Sequence, residues 1–177
     1  MRRLAAMGVT LVTIGLSGPA QALELGSRSF HPGGKIPAEY AMEAVSGGRN
    51  RSLEFHWTEV PPKARSLVLS LIDLNPIAHG WVHWLVIDIP PHVREFPAGA
   101  SGHLPPGARE LRNSFSRLGY GGPQPPPGSG PHPYQATLYA LSIPDLAVGP
   151  QATWAQVRAA MTGHVLAHAS VTGTFEQ

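Results

Sequence analysis

The alternation of apolar and polar residues along the chain predicts a mainly β protein. Residues 52–57 alternate strictly, as expected for a strand with one buried face. Residues 66–72 and 83–89 are nearly continuous aliphatic runs, which is typical of strands covered on both faces. These two runs are therefore expected at the centre of a sheet. Residues 134–141 and the alternating residues 169–175 predict two further strands.

One helix is predicted near the C-terminus. Thr153 and Gln156 have the spacing of a capping box, in which each side chain bonds the other residue's backbone. A stripe of helical period then follows: Trp154, Val157, Met161, His164, Val165 and His168. Gly163 weakens the second half of this helix.

The segment between the central strands and residue 134 is irregular. Residues 97–133 are rich in proline and glycine, and a loop this long inside a compact domain is usually functional or disordered. No internal repeat, heptad or linker divides the chain. Residues 23–177 are therefore expected to form a single domain.

The N-terminus predicts export. Arg2 and Arg3 precede an apolar stretch over residues 4–16, and the small residues Ala20 and Ala22 end the segment. This pattern is typical of a secretory signal peptide over residues 1–22, which would leave the protein periplasmic or secreted. The apolar stretch is too short for a spanning helix, so no integral membrane segment is expected after cleavage.

Composition excludes several classes of function. Residues 1–22 hold two of the 13 basic and none of the 11 acidic side chains, so the remainder carries 11 of each. A neutral chain without Lys or Arg runs lacks the charge pattern of a nucleic-acid binder. The absence of cysteine excludes disulfides, thiolate metal sites and cysteine nucleophiles. The chain contains none of the common hydrolase, phosphate-loop or dinucleotide motifs, so no enzyme activity and no cofactor are expected.

Four polar residues stand at predicted strand ends. Asp73 ends one central strand and His83 begins the next, and His132 and Tyr134 open the following strand. If these strands are neighbours of alternating direction, the four side chains meet at one edge of the sheet. Imidazole and phenol groups donate hydrogen bonds to phosphate or carboxylate. Asp73 would orient one imidazole or accept from the ammonium of a zwitterionic ligand.

Other residues have weaker assignments. Trp81 and Tyr120 are expected as aromatic walls of a ligand pocket, with loop packing as the alternative for Tyr120. His164 and His168, four residues apart on a predicted helix, have metal-ligand spacing, although core or boundary histidines are the favoured interpretation and no metal is expected. Ser114 or Ser116 near a His-Asp pair is the basis of a hydrolase alternative, which no motif supports.

The sequence resembles the phosphatidylethanolamine-binding protein family, specifically its bacterial Raf-kinase-inhibitor-like branch, over nearly the whole length after residue 22. Short motifs in a fixed order carry this resemblance: Ile36-Pro37-Ala38-Glu39-Tyr40, Asn50-Arg51-Ser52, Gly80-Trp81-Val82-His83-Trp84, Asp88-Ile89-Pro90, Asn113-Ser114-Phe115, Gly119-Tyr120-Gly121-Gly122-Pro123-Gln124-Pro125-Pro126, His132-Pro133-Tyr134, Leu138-Tyr139-Ala140-Leu141 and Ala160-Met161-Thr162-Gly163-His164.

The resemblance implies a β-sandwich with a large antiparallel sheet, a long Pro/Gly-rich loop and a C-terminal peripheral helix. It also implies a small pocket for phosphate-type anions or phospholipid headgroups, formed by Asp73, His83, His132 and Tyr134. The sequence departs from the family pattern at Asn75, where a second acid is usual, and at Pro133, where arginine is common.

Two main functional hypotheses follow. The first is a ligand-binding protein whose pocket takes a small anionic or zwitterionic phosphate-containing molecule. The second, suggested by the family name, is an interaction module that inhibits a kinase, a protease or another exported enzyme through loop 121–133. An unrecognised hydrolase is a third possibility.

Overall fold

The fold consists of two antiparallel sheets and one α-helix, as a computed structural model of residues 22–177 shows. The predicted signal peptide, residues 1–22, lies outside the described residues except for Ala22. The strands are β1 (Glu24–Gly26), β2 (Phe55–Thr58), β3 (Ser66–Asp73), β4 (Val82–Ile89), β5 (Glu95–Phe96), β6 (Arg109–Glu110), β7 (His132–Leu141) and β8 (Val165–Phe175), and the helix is α1 (Trp154–Met161). Short 3-10 helices cover Ala38–Tyr40 and Pro76–Ala78. The prediction of a mainly β fold is confirmed.

The larger sheet has the strand order β6-β4-β3-β7-β8. The two aliphatic runs form β3 and β4, which are adjacent and antiparallel, and nearly every residue in them is buried. This burial confirms that they lie at the centre of the sheet. Both β4 and β7 are antiparallel to β3, so β4 and β7 run in the same direction.

Each face of the larger sheet is covered by a different layer. Aromatic side chains of the small sheet β1-β2-β5 pack on one face, where the rings of Phe55 and Trp84 are 6.4 Å apart and those of Trp84 and Phe96 5.8 Å. Val157 and Met161 of α1 pack on the other face. Both faces of β3 and β4 contact apolar layers, which explains why these strands are apolar at nearly every position.

The predicted strand over residues 52–57 is only partly correct. The paired segment begins at Phe55, and the polar residues Ser52 and Glu54, expected to face solvent, are buried. Glu54 accepts hydrogen bonds from the backbone and guanidinium of Arg28 and pairs with His56. A buried carboxylate with this many partners satisfies the requirement that buried charges be paired.

The helix ends earlier than predicted. The capping box is present, with the Thr153 backbone N–H donating to Gln156 Oε1 at 2.8 Å, but the helix stops at Met161. Gly163 has a φ of +80°, a left-handed conformation that ends helices. The chain then pairs with β7 as β8, because strand pairing along a whole sheet edge outweighs a weak helical pattern.

The irregular segment 97–133 contains one short strand, β6, that pairs with β4, and ends in the first two residues of β7. Within it, residues 113–126 cover the end of the larger sheet where β3 ends and where β4 and β7 begin. No helix among residues 22–177 is long and apolar enough to cross a membrane.

Candidate functional site

Four of the predicted site residues meet at one edge of the larger sheet. In the register of β3 and β7, Asp73 lies opposite Tyr134, and Ile72 lies opposite Val82, the residue before His83. The four site residues, together with Trp81, line a cavity of about 220 Å³; they are Asp73, His83, His132 and Tyr134. The remaining lining residues are Ile77, Ala78, Phe115, Gln124, Pro125 and Pro126. We call this cavity the edge cavity.

Asp73 and His132 form a buried hydrogen-bonded pair in the lining of the edge cavity. The His132 Nδ1 and Asp73 Oδ2 atoms are 2.6 Å apart, and both side chains are almost fully buried. The other oxygen of Asp73 accepts from the backbone N–H of Asn75 at 2.8 Å. The carboxylate is thus held in one orientation by two donors.

Ser129, which the sequence did not identify, holds the second nitrogen of His132. Ser129 Oγ donates to the carbonyl of Pro126 at 2.6 Å and lies 3.0 Å from His132 Nε2. Because the Asp73 carboxylate only accepts, His132 Nδ1 donates to it, and the Ser129 hydroxyl contacts the other ring nitrogen.

His83 differs from His132 because one of its nitrogens stays available. Its Nδ1 donates to the carbonyl of Gly121 at 2.7 Å, which leaves Nε2 for a ligand. Burial lowers the pKa of His83 from 6.5 to about 4, opposed only in part by the bond to Gly121 and the charge of Asp73. At neutral pH Nε2 is therefore unprotonated and accepts hydrogen bonds.

Tyr134 contributes the free donor of the edge cavity. Its side chain is fully buried, and its hydroxyl has no hydrogen-bond partner among residues 22–177. Burial, then the charge of Asp73 and hydrogen bonding to its carboxylate, raise the pKa of Tyr134 well above its ordinary value, so the hydroxyl keeps its proton. The Asp73 carboxylate therefore lies beside this hydroxyl and interacts with it, although the two groups fall short of good hydrogen-bond geometry. An unpaired buried donor is costly unless a ligand or water accepts from it.

The buried side chains of the edge cavity therefore offer one donor, one acceptor and the nearby negative charge of Asp73. The sequence suggested that both imidazoles donate to an anion. However, His132 uses both nitrogens within the protein, and the free nitrogen of His83 accepts at neutral pH. The arrangement suits a ligand that carries an acceptor group and a donor group together.

Residues 121–133, which we call the Pro-rich loop, form one wall of the edge cavity and are held by hydrogen bonds to the backbone. The Gly121 N–H donates to His83 O at 2.8 Å, and the Gly122 N–H donates to Asn50 Oδ1 at 2.8 Å. A Cβ at Gly122 would lie 2.2 Å from the carbonyl oxygen of Tyr40, so only glycine allows this approach. The carbonyl that orients His83 is consequently held in place by the core.

Two predicted wall residues have different roles. Trp81 lines the edge cavity, and its ring contacts Phe115 at a centroid distance of 5.2 Å. Tyr120 does not line the cavity: it is buried against Trp84, and its hydroxyl donates to the carbonyl of Tyr40 at 2.9 Å. The alternative of loop packing is therefore the correct one for Tyr120.

The two residues that depart from the family pattern, Asn75 and Pro133, stabilise the local backbone in this chain. Asn75 does not line the edge cavity, since its side chain accepts from the Ile77 N–H at 3.2 Å and caps the 3-10 helix Pro76–Ala78. Pro133 lies in β7, where its carbonyl accepts from the Leu74 N–H at 2.8 Å. Both residues fix the loop between β3 and β4.

The remaining candidates do not form a second site. His164 and His168 do not share a helix face, because His164 lies in the turn after α1 and His168 is an exposed residue of β8 stacked on Tyr139. Of the two histidines expected at core or boundary positions, His164 is half-buried and His168 is exposed. Ser114 Oγ accepts from the Val82 N–H at 2.9 Å, and Ser116 occupies a turn with a φ of +60°. Among residues 22–177, no group of three His, Asp or Glu side chains could hold a metal ion.

A larger cavity of about 590 Å³ lies on the other side of the Pro-rich loop. Its lining is mostly apolar, with Ile36, Val45 and Phe175 among its residues, and its charged groups, Lys35 and Glu176, pair with each other at 2.9 Å. It contains no buried titratable group. Its larger volume favours this cavity as a binding site, but the buried titratable side chains line the edge cavity.

Comparisons with known proteins give the relatives of this chain. A family model described as Phosphatidylethanolamine-binding protein matches residues 26–176. A UPF0098 protein of Aquifex aeolicus is 35% identical over 159 residues, covering 88% of this chain and 89% of the relative. LppC, a candidate lipoprotein of Mycobacterium tuberculosis, is 34% identical over 157 residues, covering 89% of this chain and 74% of the relative.

A solved structure gives the same result for the fold. The crystal structure of Escherichia coli YbcL, described as a new member of the mammalian PEBP family, matches with a TM-score of 0.82 and 29% identity. The match covers 89% of this chain and 99% of YbcL.

Proposed function

This chain belongs to the phosphatidylethanolamine-binding protein family, and we propose that its edge cavity binds a small zwitterionic phosphate compound of the phosphoethanolamine type. The unpartnered hydroxyl of Tyr134 is the observation that carries this proposal. A phosphate oxygen would accept from this hydroxyl, which removes the cost of a buried unpaired donor. The family name points to the same class of ligand.

The other half of the ligand is matched by His83 and Asp73. An ammonium group donates hydrogen bonds and carries positive charge. It would donate to the unprotonated Nε2 of His83, near the carboxylate of Asp73. The volume of about 220 Å³ limits the ligand to a headgroup or a molecule of similar size.

The hydrolase alternative receives no support from Ser129. The order Asp73, His132, Ser129 has the connectivity of a nucleophile triad, but a nucleophilic serine donates to its histidine. Ser129 donates to Pro126 instead and does not line the edge cavity. We therefore assign Ser129 a positioning role for His132.

Export is part of the proposal. Residues 1–22 are proposed as a signal peptide that leaves residues 23–177 as a single periplasmic or secreted domain. The similarity to LppC, whose name describes a lipoprotein, supports an envelope location. A mature N-terminus at Leu23, read by mass spectrometry of the protein from the producing cell, would test the cleavage.

The Tyr134→Phe substitution tests the ligand assignment. It removes only the free donor, so phosphoethanolamine is expected to bind about ten- to hundredfold more weakly, as for the loss of a hydrogen bond to a charged group. The free energy of unfolding of the ligand-free protein should stay unchanged or rise by about 1 kcal/mol, because an unpaired buried hydroxyl is removed. Calorimetry at pH 7 and urea denaturation measure the two effects.

Tyr139→Phe is the matched control, since Tyr139 lies on the opposite face of the sheet, against Trp154. It should leave the affinity for phosphoethanolamine unchanged. Equal heats from the unsubstituted protein and from Tyr134→Phe would remove Tyr134 from the binding site and with it the main support for the proposal.

The pH dependence of binding separates two ligand classes. Protonation of His83, as the pH falls through its pKa of about 4, replaces its acceptor with a donor. Binding of phosphoethanolamine should therefore weaken as the pH falls to 4, while binding of inorganic phosphate should strengthen. Calorimetric titrations of both compounds at pH 7 and pH 4 measure this, and phosphoethanolamine binding that strengthens at pH 4 would reverse the assignment of His83.

A further inference from the structure

We propose that β8 pairs, along its free side, with β8 of a second copy of this chain, so that the two larger sheets join into one. β8 lies at one end of the strand order of the larger sheet, with β7 as its only neighbour in that order. A strand in this position presents unpaired backbone groups that another strand can bind. The inference does not depend on the edge cavity, because residues 165–175 do not line it.

β8 lacks the protection that the other edge strands have. Within residues 22–177 those strands are β1, β5 and β6; each has two or three residues and each contains a charged side chain. Shortness and charge are the usual means by which proteins prevent pairing between sheet edges. β8 has 11 residues, and none of them is Lys, Arg, Asp, Glu or Pro. The sequence therefore permits pairing at β8 and opposes it at the other edges.

The unpaired part of β8 is residues 167–171, which we call the open segment. The Gly33 N–H donates to Thr172 O at 2.7 Å, so the backbone groups of Thr172 point away from β7. Backbone direction alternates along a strand, and His168 and Ser170 therefore point the same way as Thr172. Among residues 22–177, no strand or bridge pairs with these two residues on that side, and both are exposed. Their N–H and C=O groups are available to a partner.

A two-fold axis at Ala169 gives every available group a partner. It places His168 opposite Ser170 of the second copy, and each such pair exchanges two backbone hydrogen bonds. An axis at His168 would require Leu166, which lies where the register with β7 shifts. An axis at Ser170 would require Thr172, whose carbonyl already accepts a hydrogen bond. The axis at Ala169 is therefore the register that the open segment favours.

The side chains of the open segment match an identical strand. Ala169 faces Ala169 of the second copy, and small side chains allow the close approach of a non-hydrogen-bonded pair. His168, whose ring stacks on Tyr139 at a centroid distance of 6.0 Å, faces a serine hydroxyl, with which an imidazole can hydrogen-bond. Because β8 carries no Lys, Arg, Asp or Glu, two copies of it do not repel each other. Contacts about a two-fold axis are also the commonest kind in soluble oligomers.

The Ala169→Cys substitution tests the pairing. The chain contains no cysteine, so the variant has a single thiol. The Cα atoms of a non-hydrogen-bonded antiparallel pair are about 4.5 Å apart, within the roughly 4.4–6.8 Å that a disulfide spans. Mild oxidation of the full-length variant should therefore convert most of it to a disulfide-linked dimer, measured on non-reducing gels over time.

Leu166→Cys is the matched control, since Leu166 lies on the same strand and, at 40% exposed, is more accessible than the half-buried Ala169. Random collisions favour its thiol, whereas the proposed register keeps the two Leu166 positions apart. It should cross-link at least about tenfold more slowly than Ala169→Cys, because separated Cα atoms cannot be bridged. Equal rates, or a faster rate for Leu166→Cys, would overturn the proposal.

His168→Lys tests the same edge through charge. Lysine is a residue that proteins place on edge strands to prevent pairing. Added to Ala169→Cys, it should slow cross-linking about three- to tenfold, because each copy brings a like charge to the shared strands. Sedimentation velocity at protein concentrations up to about 1 mM should show a dimer of the unsubstituted protein that His168→Lys alone weakens. Cross-linking that His168→Lys leaves unchanged contradicts the pairing. So does a thiol at position 169 that captures a different protein from a cell extract but not a second copy, which would assign the open segment to another strand.

Discussion

The His132→Ala substitution is expected to lower the free energy of unfolding by about 3–5 kcal/mol, because it leaves the buried Asp73 carboxylate without one of its two donors. The Asp73 carboxylate would remain buried with the Asn75 N–H as its other donor. Ser129 would lose its contact with the imidazole at the same time. Urea denaturation at pH 7, monitored by the fluorescence of the buried tryptophans, measures the loss.

Two further variants isolate the charge effect. Ser129→Ala removes a neutral partner of His132 and should cost only about 1–2 kcal/mol. Asp73→Asn combined with His132→Ala should cost less than the sum of the two single changes, because the second change removes a group that the first left unpaired. A loss below 1 kcal/mol for His132→Ala would mean that the pair is not buried as described.

The second large effect is a loss of stability in acid caused by His83. Burial lowers its pKa from 6.5 to about 4, so between these values the unfolded chain binds more protons than the folded chain. Stability therefore rises with pH in this window and is lost as the pH falls through it. The contribution of His83 amounts to about 3 kcal/mol between pH 7 and pH 4, at 1.36 kcal/mol per unit of pKa.

The His83→Gln variant isolates this contribution from other titrating groups. A glutamine amide can still donate to the Gly121 carbonyl, but it does not titrate. The difference between the unfolding free energies of the two proteins, measured in urea from pH 7 to pH 4, should change by about 3 kcal/mol in favour of the variant. Parallel curves would show that His83 is not the buried neutral group.

The pH window also bears on the proposed function. Well above its folded pKa of about 4, His83 is neutral in the folded chain, and the edge cavity presents its acceptor. Occupation by an ammonium-bearing ligand should stabilise the folded protein most in this range, in proportion to ligand concentration. Urea denaturation and calorimetry therefore both report the protonation of His83, each independently of the other.

Local pattern alone identified the central strands of the fold. The aliphatic runs of β3 and β4 are specific because both faces of each strand meet apolar layers, and apolar side chains at every position leave few other structures open. The positions of Asp73 and His83 follow directly, since residues at the ends of adjacent antiparallel strands share an edge. His132 and Tyr134 reach the same edge because β7 runs in the direction of β4, and the resemblance to a known family implies the same four residues.

Local pattern failed where a long-range contact competes with it. The helical stripe through His164 and His168 continues past Met161 in sequence, but the chain there pairs along β7 instead. Ser52 and Glu54 alternate with apolar residues and yet are buried, because partners distant in sequence, among them Arg28 for Glu54 and Ser101 for Ser52, supply their hydrogen bonds. In both cases the deciding contacts join residues that are far apart in the sequence.

The sequence by itself determined the sheet, the edge on which the polar residues stand and the identity of four of them. Only the tertiary structure decided what each residue offers a ligand. Ser129 and Asp73 occupy both nitrogens of His132, Gly121 occupies one nitrogen of His83, and Tyr134 is left without a partner. Hydrogen bonding and burial arise from groups far apart in the chain, so no pattern along the sequence records them.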